Sequence, residues 1–281
     1  MNDLAGRAFL VTGGTNGIGL EAAVLFAARG ADVTIVGRDP ARTEAAVATI
    51  GERAGRPVES VLCDFASLDS IRGLAAEFRS RHGRLHVLLN NAGTVFAERT
   101  ITADGFESTF AVNHLGYFLL TALLRDLLVQ SAPARIVNVS SEANYRGTLD
   151  FDDMAMEKGY WVMGAYARSK LCNVLFTRRL ARELEGTGVT VNCLHPGRIS
   201  TNIWSHAPGW AKPGIAVVKW FMQSPQDGGK NLEYACTSPE LDGKTGLYLH
   251  QRRIQDPAKL AMDDAVADRL WEESARMVGA R

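Results

Sequence analysis

The stretch Phe9-Leu-Val-Thr-Gly-Gly-Thr-Asn-Gly-Ile-Gly19 decides the fold, because an apolar run of strand character passes straight into a glycine-rich turn and then into the helical pattern Leu20 to Arg29. Strand, glycine turn and helix in that order make a phosphate-binding corner. Gly13 allows the tight turn, Gly17 lets backbone N–H groups approach a pyrophosphate at a positive helix N-terminus, and Gly19 permits close packing of helix on strand. Thr15, Asn16 and Ile18 complete the turn and are expected to contact the same ligand. The spacing is Gly-x-x-x-Gly-x-Gly, a departure from the commoner Gly-x-Gly-x-x-Gly.

Outward from this corner, apolar runs near residues 8–12, 32–36, 58–62, 86–89, 134–139, 189–194 and 246–249 alternate with helical patterns. Such alternation predicts right-handed βαβ units and an α/β fold: a Rossmann-type, doubly wound parallel sheet of about seven strands with helices on both faces. Without repeat, linker or low-complexity tract, residues 1–281 read as one domain. The charge is balanced, 31 basic against 31 acidic residues, which gives no footprint for nucleic acid or an anionic membrane. The four cysteines, Cys63, Cys172, Cys193 and Cys236, have no Cys-x-x-Cys spacing, so neither a disulfide nor a metal site is expected. The N-terminus is polar and no apolar run reads as approaching the roughly 18 residues of a bilayer span, so the expectation is a soluble, cytoplasmic protein without an integral membrane segment.

Tyr166-Ala-Arg-Ser-Lys170 lies on a pattern read as a helix over 165–185, with Leu171, Val174, Leu175 and Leu180 at helical spacing. Residues at i and i+4 stand one above the other on a helix, which places an ammonium beside a phenol. A phenol titrates near pH ~10 in isolation and is a poor proton donor until a nearby cation stabilises the phenolate. By itself this spacing also suits an ordinary amphipathic helix. The glycine corner earlier in the chain is what makes it informative.

Together, Thr12 to Gly19, Asn90-Asn-Ala-Gly93, and Tyr166 with Lys170 resemble the signature of the short-chain dehydrogenase/reductase family, in its order and over nearly the whole chain. The resemblance implies hydride transfer between a nicotinamide cofactor and a carbonyl or carbinol carbon. Tyr166 is then the proton donor or acceptor, and Lys170 lowers its pKa and binds the nicotinamide ribose. Asn113 kinks a helix and holds a water in a relay to Lys170, and Ser141 holds the substrate oxygen, with Ser140 as the structural alternative. Asn90, Ala92 and Gly93 line the cofactor cleft, Asp64 and the backbone of Phe65 bracket the adenine, and Pro196, Gly197, Ile199 and Thr201 hold the nicotinamide carboxamide. Asp64 has a plainer reading as the cap of the helix starting near Leu68.

Cofactor choice turns on the end of the second strand, where Gly37 occupies the place of the acid that would accept from ribose hydroxyls, and Arg38 follows. An arginine fork there pairs with a 2′-phosphate and points to NADP(H). Asp39 is the competing reading, as a ribose ligand for NAD(H), unless it caps the helix that follows Pro40.

Ser141 and Tyr166 are 25 residues apart, about twice the family's usual separation, so residues 144–164 are expected to form a substrate-side insertion. That spacing, with Ser169-Lys-Leu-Cys-Asn-Val-Leu-Phe, resembles the retinol dehydrogenase branch and its bacterial homologues, which act on lipophilic alcohols, aldehydes and ketones. Trp204 and Trp210 fall in a lid over about 202–225 and suit either a bulky hydrophobic or aromatic substrate, as in a ketoreductase of secondary metabolism, or packing against the sheet or a second subunit. Two other readings stay open: a silent NADP(H)-sensing or scaffold protein, and a C=C reductase using the same Tyr and Lys. Family members pair through helices around 106–129 and 165–185, so a homodimer, a homotetramer or a monomer is compatible with the sequence.

Overall fold

The computed structural model describes residues 2–198 and 223–280. Within them eight strands form a single sheet in the order β3-β2-β1-β4-β5-β6-β7-β8. These are β1 (Ala8–Thr12), β2 (Asp32–Gly37), β3 (Glu59–Leu62), β4 (Val87–Asn90), β5 (Ala134–Val139), β6 (Val189–His195), β7 (Tyr248–His250) and β8 (Arg253–Ile254). Seven are parallel, and the two-residue β8 pairs antiparallel with β7 as an eighth strand beyond the seven expected. Its brevity, Arg253 and Ile254 being both exposed, leaves no alternation to read.

The helices between the strands are α1 (Gly17–Ala28), α2 (Pro40–Ala54), α3 (Leu68–Arg81), α4 (Gly116–Gln130), α5 (Val162–Glu183), α6 (Pro225–Thr237) and α7 (Asp264–Val278). Capping sets their bounds. Asp39 accepts from Arg42 N and Pro40 opens α2, while Gly55 at φ 70° closes it. Ser67, and not Asp64, caps α3 by accepting from the Ser70 N–H. Helix α4 is entered through a turn at Ser108–Phe110 and a π-helical segment, Ala111–Leu115.

Buried side chains form two clusters, one on each face of the sheet. One includes Leu74, Phe78, Leu120, Leu124, Leu175 and Leu270 from α3, α4, α5 and α7. The other includes Ala23, Phe26, Ile50, Leu232 and Ala235 from α1, α2 and α6. Fully buried strands such as β4 and β5 read as continuous apolar runs for this reason. The stretch Ser108–Gln130 is, contrary to the sequence reading, long and apolar enough to cross a bilayer by length and composition, with mean hydropathy 1.2, but 72% of its most apolar window is buried inside the fold.

Helix α7 lies over α4 and α5, the pair expected to form a subunit interface. Trp271 packs with its ring centroid 4.9 Å from Phe118 and 5.9 Å from Phe176, under Arg179. Asp264 and Asp268 pair with Arg178, Arg179 and Arg182 of α5.

The strand order reverses beside β1, whose neighbours are β2 on one side and β4 on the other. At such a switch point the loops leaving the carboxyl ends of the strands diverge to opposite faces and open a crevice. The residues singled out in the sequence fall in those loops.

Candidate active site

The glycine corner is built for close approach. Gly13 has φ 65°, and a Cβ there would sit 2.8 Å from Ala92 Cα; a Cβ on Gly19 would sit 2.4 Å from the Gly13 carbonyl oxygen. Asn16 caps α1 without a side-chain bond and the first turn carries no acid, so its N-terminal N–H groups face an electropositive, uncommitted end. That cradle fits a dinucleotide pyrophosphate. The turn is tied to β4 by residues that motif reading passed over: Asn91 Nδ2 donates to Thr12 O at 2.8 Å and Gly13 O at 3.1 Å, and Thr12 Oγ1 accepts from the Asn91 and Ala92 N–H groups. Asn90 is turned inward, donating to Thr121 Oγ1 and Asn138 Oδ1.

At the end of β2, a Cβ on Gly37 would meet Thr43 Oγ1 at 2.1 Å and Thr15 Cγ2 at 2.4 Å. An acid there would have to displace the Thr15 and Thr43 side chains. Arg38 is exposed, and among the described residues its guanidinium makes no hydrogen bond or ion pair, whereas the Asp39 carboxylate is engaged as the α2 cap at 2.8 Å from Arg42 N. Asp64 accepts from Ala66 N at 3.0 Å in the loop after β3, and the Phe65 ring packs where a Cβ on Gly116 would be.

Helix α5 starts three residues before the expected Ala165 and docks on β5 through buried polar contacts. Ser140 Oγ donates to the Lys170 carbonyl oxygen at 2.7 Å, and Lys170 Nζ and Asn173 Nδ2 both donate to Val139 O, at 3.0 and 3.2 Å. These bonds fix the helix so that Tyr166 stands over the Ser141 turn. Neighbouring strand residues face opposite sides. Ser140 is accordingly taken up by the helix, while Ser141 lies on the open side and accepts from Ala143 N.

Burial dominates the electrostatics. It raises the Tyr166 phenol, against which the Ser141 hydroxyl pulls downward. It also pushes the Lys170 ammonium down to about 7. The expectation that Lys170 depresses Tyr166 is therefore not met in the chain alone. Both groups occupy one dry region that disfavours either charge, and the ammonium lies 5.6 Å from the Tyr166 ring centroid, bonded to Val139 instead. A second tyrosine, Tyr117, was missed: fully buried, its ring centroid is 5.8 Å from Lys170 Nζ, so the lysine is close to two phenol rings. It offered no signal within its apolar run.

Asn113 lies in the π-helical segment, as a kinking residue would. Its side chain clamps Thr94, accepting from the N–H at 2.8 Å and donating to the carbonyl at 2.9 Å, and donates to Ser169 Oγ at 3.0 Å. A Cβ on Gly93 would sit 3.3 Å from Asn113 Oδ1 and 3.5 Å from Lys170 Nζ, so the two side chains flank the same small space.

Residues 144–164 do not stand off as a lobe where they begin. Asn144 is fully buried, donating to Ser141 O and Tyr248 Oη and accepting from Ala258 N, and Leu149, Phe151 and Met154 pack on the main core. Arg168, within the Tyr166–Lys170 motif, forms a buried pair with Glu107 at 3.0 Å and donates to Met154 O at 2.7 Å. Pro196 is held by Asn231 Nδ2 at 2.9 Å and Gly197 has φ 110°. Ile199, Thr201, Trp204 and Trp210 lie outside the described residues, as does most of the expected lid. The four cysteines are buried free thiols, with Cys63 raised to about 11 and Cys172 and Cys193 to about 12 by burial.

Comparison with known proteins agrees with this geometry. Residues 7–211 match the family described as short chain dehydrogenase. Retinol dehydrogenase 14 of Mus musculus is 42% identical over 289 residues, covering 98% of this chain and 86% of the relative. Retinol dehydrogenase 13 of Homo sapiens is 41% identical over 283 residues, covering 98% and 86%. Among solved structures, an uncharacterized protein from Mycobacterium paratuberculosis aligns with TM-score 0.79 at 29% identity, covering 99% of this chain and 96% of its own. RhlG of Pseudomonas aeruginosa, solved as an NADP active-site complex, aligns with TM-score 0.72 at 26% identity, covering 94% and 98%.

Proposed function

Because the chain belongs to the short-chain dehydrogenase family, an oxidoreductase family that uses nicotinamide cofactors, we propose that it is an NADP(H)-dependent enzyme interconverting a carbonyl and an alcohol on a bulky hydrophobic or aromatic substrate. The observation that carries the reading is that the Ser141 hydroxyl acts on the buried Tyr166 phenol while Lys170 Nζ and Asn113 Oδ1 flank the same space at Gly93.

The nicotinamide supplies or accepts the hydride when bound. The chain's own residues do the rest. Ser141 donates to the substrate oxygen and holds it against Tyr166, whose hydroxyl gives its proton as negative charge builds on that oxygen. A phenol held above its ordinary range carries its proton at neutral pH, the form a donor must start from, but it is a weaker acid than a free tyrosine, so its donation depends on the charge that builds on the substrate oxygen. Lys170 and Asn113, sharing the space at Gly93, are placed to restore that proton. The crowding at Gly37, the uncommitted guanidinium of Arg38 and the engagement of Asp39 in capping support NADP(H) over NAD(H). The names of the retinol dehydrogenase relatives support a lipophilic substrate. We place the activity in the cytoplasm.

The reading is tested by NADPH and NADH oxidation over aryl ketones, polycyclic ketones and long-chain aldehydes. Turnover with NADPH on the bulky carbonyls is expected, and Arg38→Ala should raise the KM for NADPH by roughly 10- to 150-fold, the about 1.5–3 kcal/mol of a hydrogen bond to a charged group, with little change for NADH. A preference for NADH would move ribose recognition to Asp39, and reduction of a conjugated C=C bond alone would replace the carbonyl assignment.

A further inference from the structure

At the carboxyl edge of the sheet, away from the glycine corner, the parallel register pairs His195 of β6 directly with His250 of β7. Paired residues on neighbouring strands project to the same face about 4.8 Å apart, and the two rings stand with centroids 4.9 Å apart at 50°. Glu142 reaches them from the turn that follows β5. One carboxylate oxygen and one nitrogen from each imidazole all lie within 4.8 Å of one another.

The setting suits a ligand. His195 is only 5% exposed, yet its Nδ1 has no hydrogen-bond partner among the described residues, and the Gln223 amide oxygen is buried and equally unpartnered. Both residues line a cavity of about 280 Å³ together with Glu142, Arg198, His250 and Gln251. Burying a polar atom without a partner is costly, so two such atoms around one cavity call for something to bind.

We propose that Glu142, His195 and His250 form a site for a divalent transition-metal ion of the zinc class. Two imidazoles and a carboxylate are the donor set of a three-ligand zinc site with an open fourth position, and imidazole selects zinc or cobalt over magnesium or calcium. Small rotamer adjustments bring donors now within 4.8 Å to the spacing of ligands on one ion. The competitor is Arg198, which holds Glu142 in a two-pronged ion pair at 3.0 and 3.2 Å but is itself 74% exposed and can swing into solvent. No sequence spacing points to this site because the three ligands come from far apart in the chain, two from strand ends and Glu142 from the turn after β5. Glu142 directly follows Ser141 and His195 directly precedes Pro196, so a bound ion would clasp the ends of β5, β6 and β7 beside the substrate end of the crevice.

The test is titration of chelator-treated full-length protein with Co²⁺, read by visible d–d absorption, followed by displacement with Zn²⁺. One equivalent should bind with the intensity of a four- or five-coordinate ion and no thiolate charge-transfer band. Loss of an outer-sphere partner typically weakens metal binding about 10–100-fold, so His250→Ala and Glu142→Gln, each lacking a direct ligand, should weaken it more. Arg198→Ala should tighten binding by freeing the carboxylate, a gain that a merely structural role would not produce. Circular dichroism and thermal unfolding check that each variant folds; should His250→Ala fail, Glu142→Gln and Arg198→Ala decide. Absence of stoichiometric binding, a thiolate band, or affinity unchanged in Glu142→Gln and Arg198→Ala would overturn the proposal.

Discussion

A lysine with 3% of its surface exposed, bonded among the described residues to the Val139 carbonyl alone, is a charge where charge is disfavoured. Its folded pKa of about 7 lies below the ordinary 10.5, so between those values the unfolded chain binds more protons than the folded one. Stability then rises with pH through this window, by up to about 1.4 kcal/mol per pH unit, and falls again as pH drops toward 7. Urea unfolding at pH 7 and pH 9 should show this slope in the wild type and lose it in Lys170→Met; equal slopes would mean the ammonium is solvated. The Tyr166–Lys170 pair and Arg38 were legible in the sequence because helix spacing and strand ends fix where such side chains go. Tyr117 and Asn91 were not, since their contacts to Lys170 and the glycine turn are made across 53 and 78 residues or more of chain.

At the scale of elements, order and most bounds were legible from periodicity, whereas features that depend on tertiary contact were not. The π-helical segment Ala111–Leu115 has no periodicity of its own; it is set by Asn113 clamping Thr94. Beta strand β8 exists only as a partner for β7. Arg168, inside Tyr-x-x-x-Lys, joins α5 to the turn before α4 and to residue 154, pairing with a Glu107 carboxylate that is 0% exposed on its side chain. Breaking such a pair on one side leaves a buried charge uncompensated, so Arg168→Met should lower unfolding free energy by about 3–5 kcal/mol, and adding Glu107→Gln should recover part of it. Denaturant midpoints of the two variants decide this; a loss below about 1 kcal/mol would show that Glu107 is neutral or hydrated. The interface expected on α4 and α5 was an apolar stripe that could equally be core, and α7, through Trp271, is what lies on it.

For the whole molecule, the sheet order places every loop with chemical content at one edge. Gly13 follows β1, Arg38 β2, Asp64 β3, Gly93 β4, Ser141 β5, Pro196 β6, and His250 ends β7. Topology of this kind was legible from alternating apolar and helical patterns, because right-handed crossovers leave few other arrangements. The expected substrate wall rests on Trp204 and Trp210, which lie outside the described residues. Hydride transfer with Tyr166 as the proton donor is the claim on which the rest depends. Its most direct measurement is single-turnover reduction of an aryl ketone with NADPH deuterated at C4, in wild type and Tyr166→Phe, reading deuterium at the carbinol carbon by mass spectrometry. The account predicts label on that carbon and, in the variant, a rate lower by about 10²–10⁴-fold with NADPH affinity nearly unchanged. Unlabelled product, or a near-normal rate in Tyr166→Phe, would contradict it.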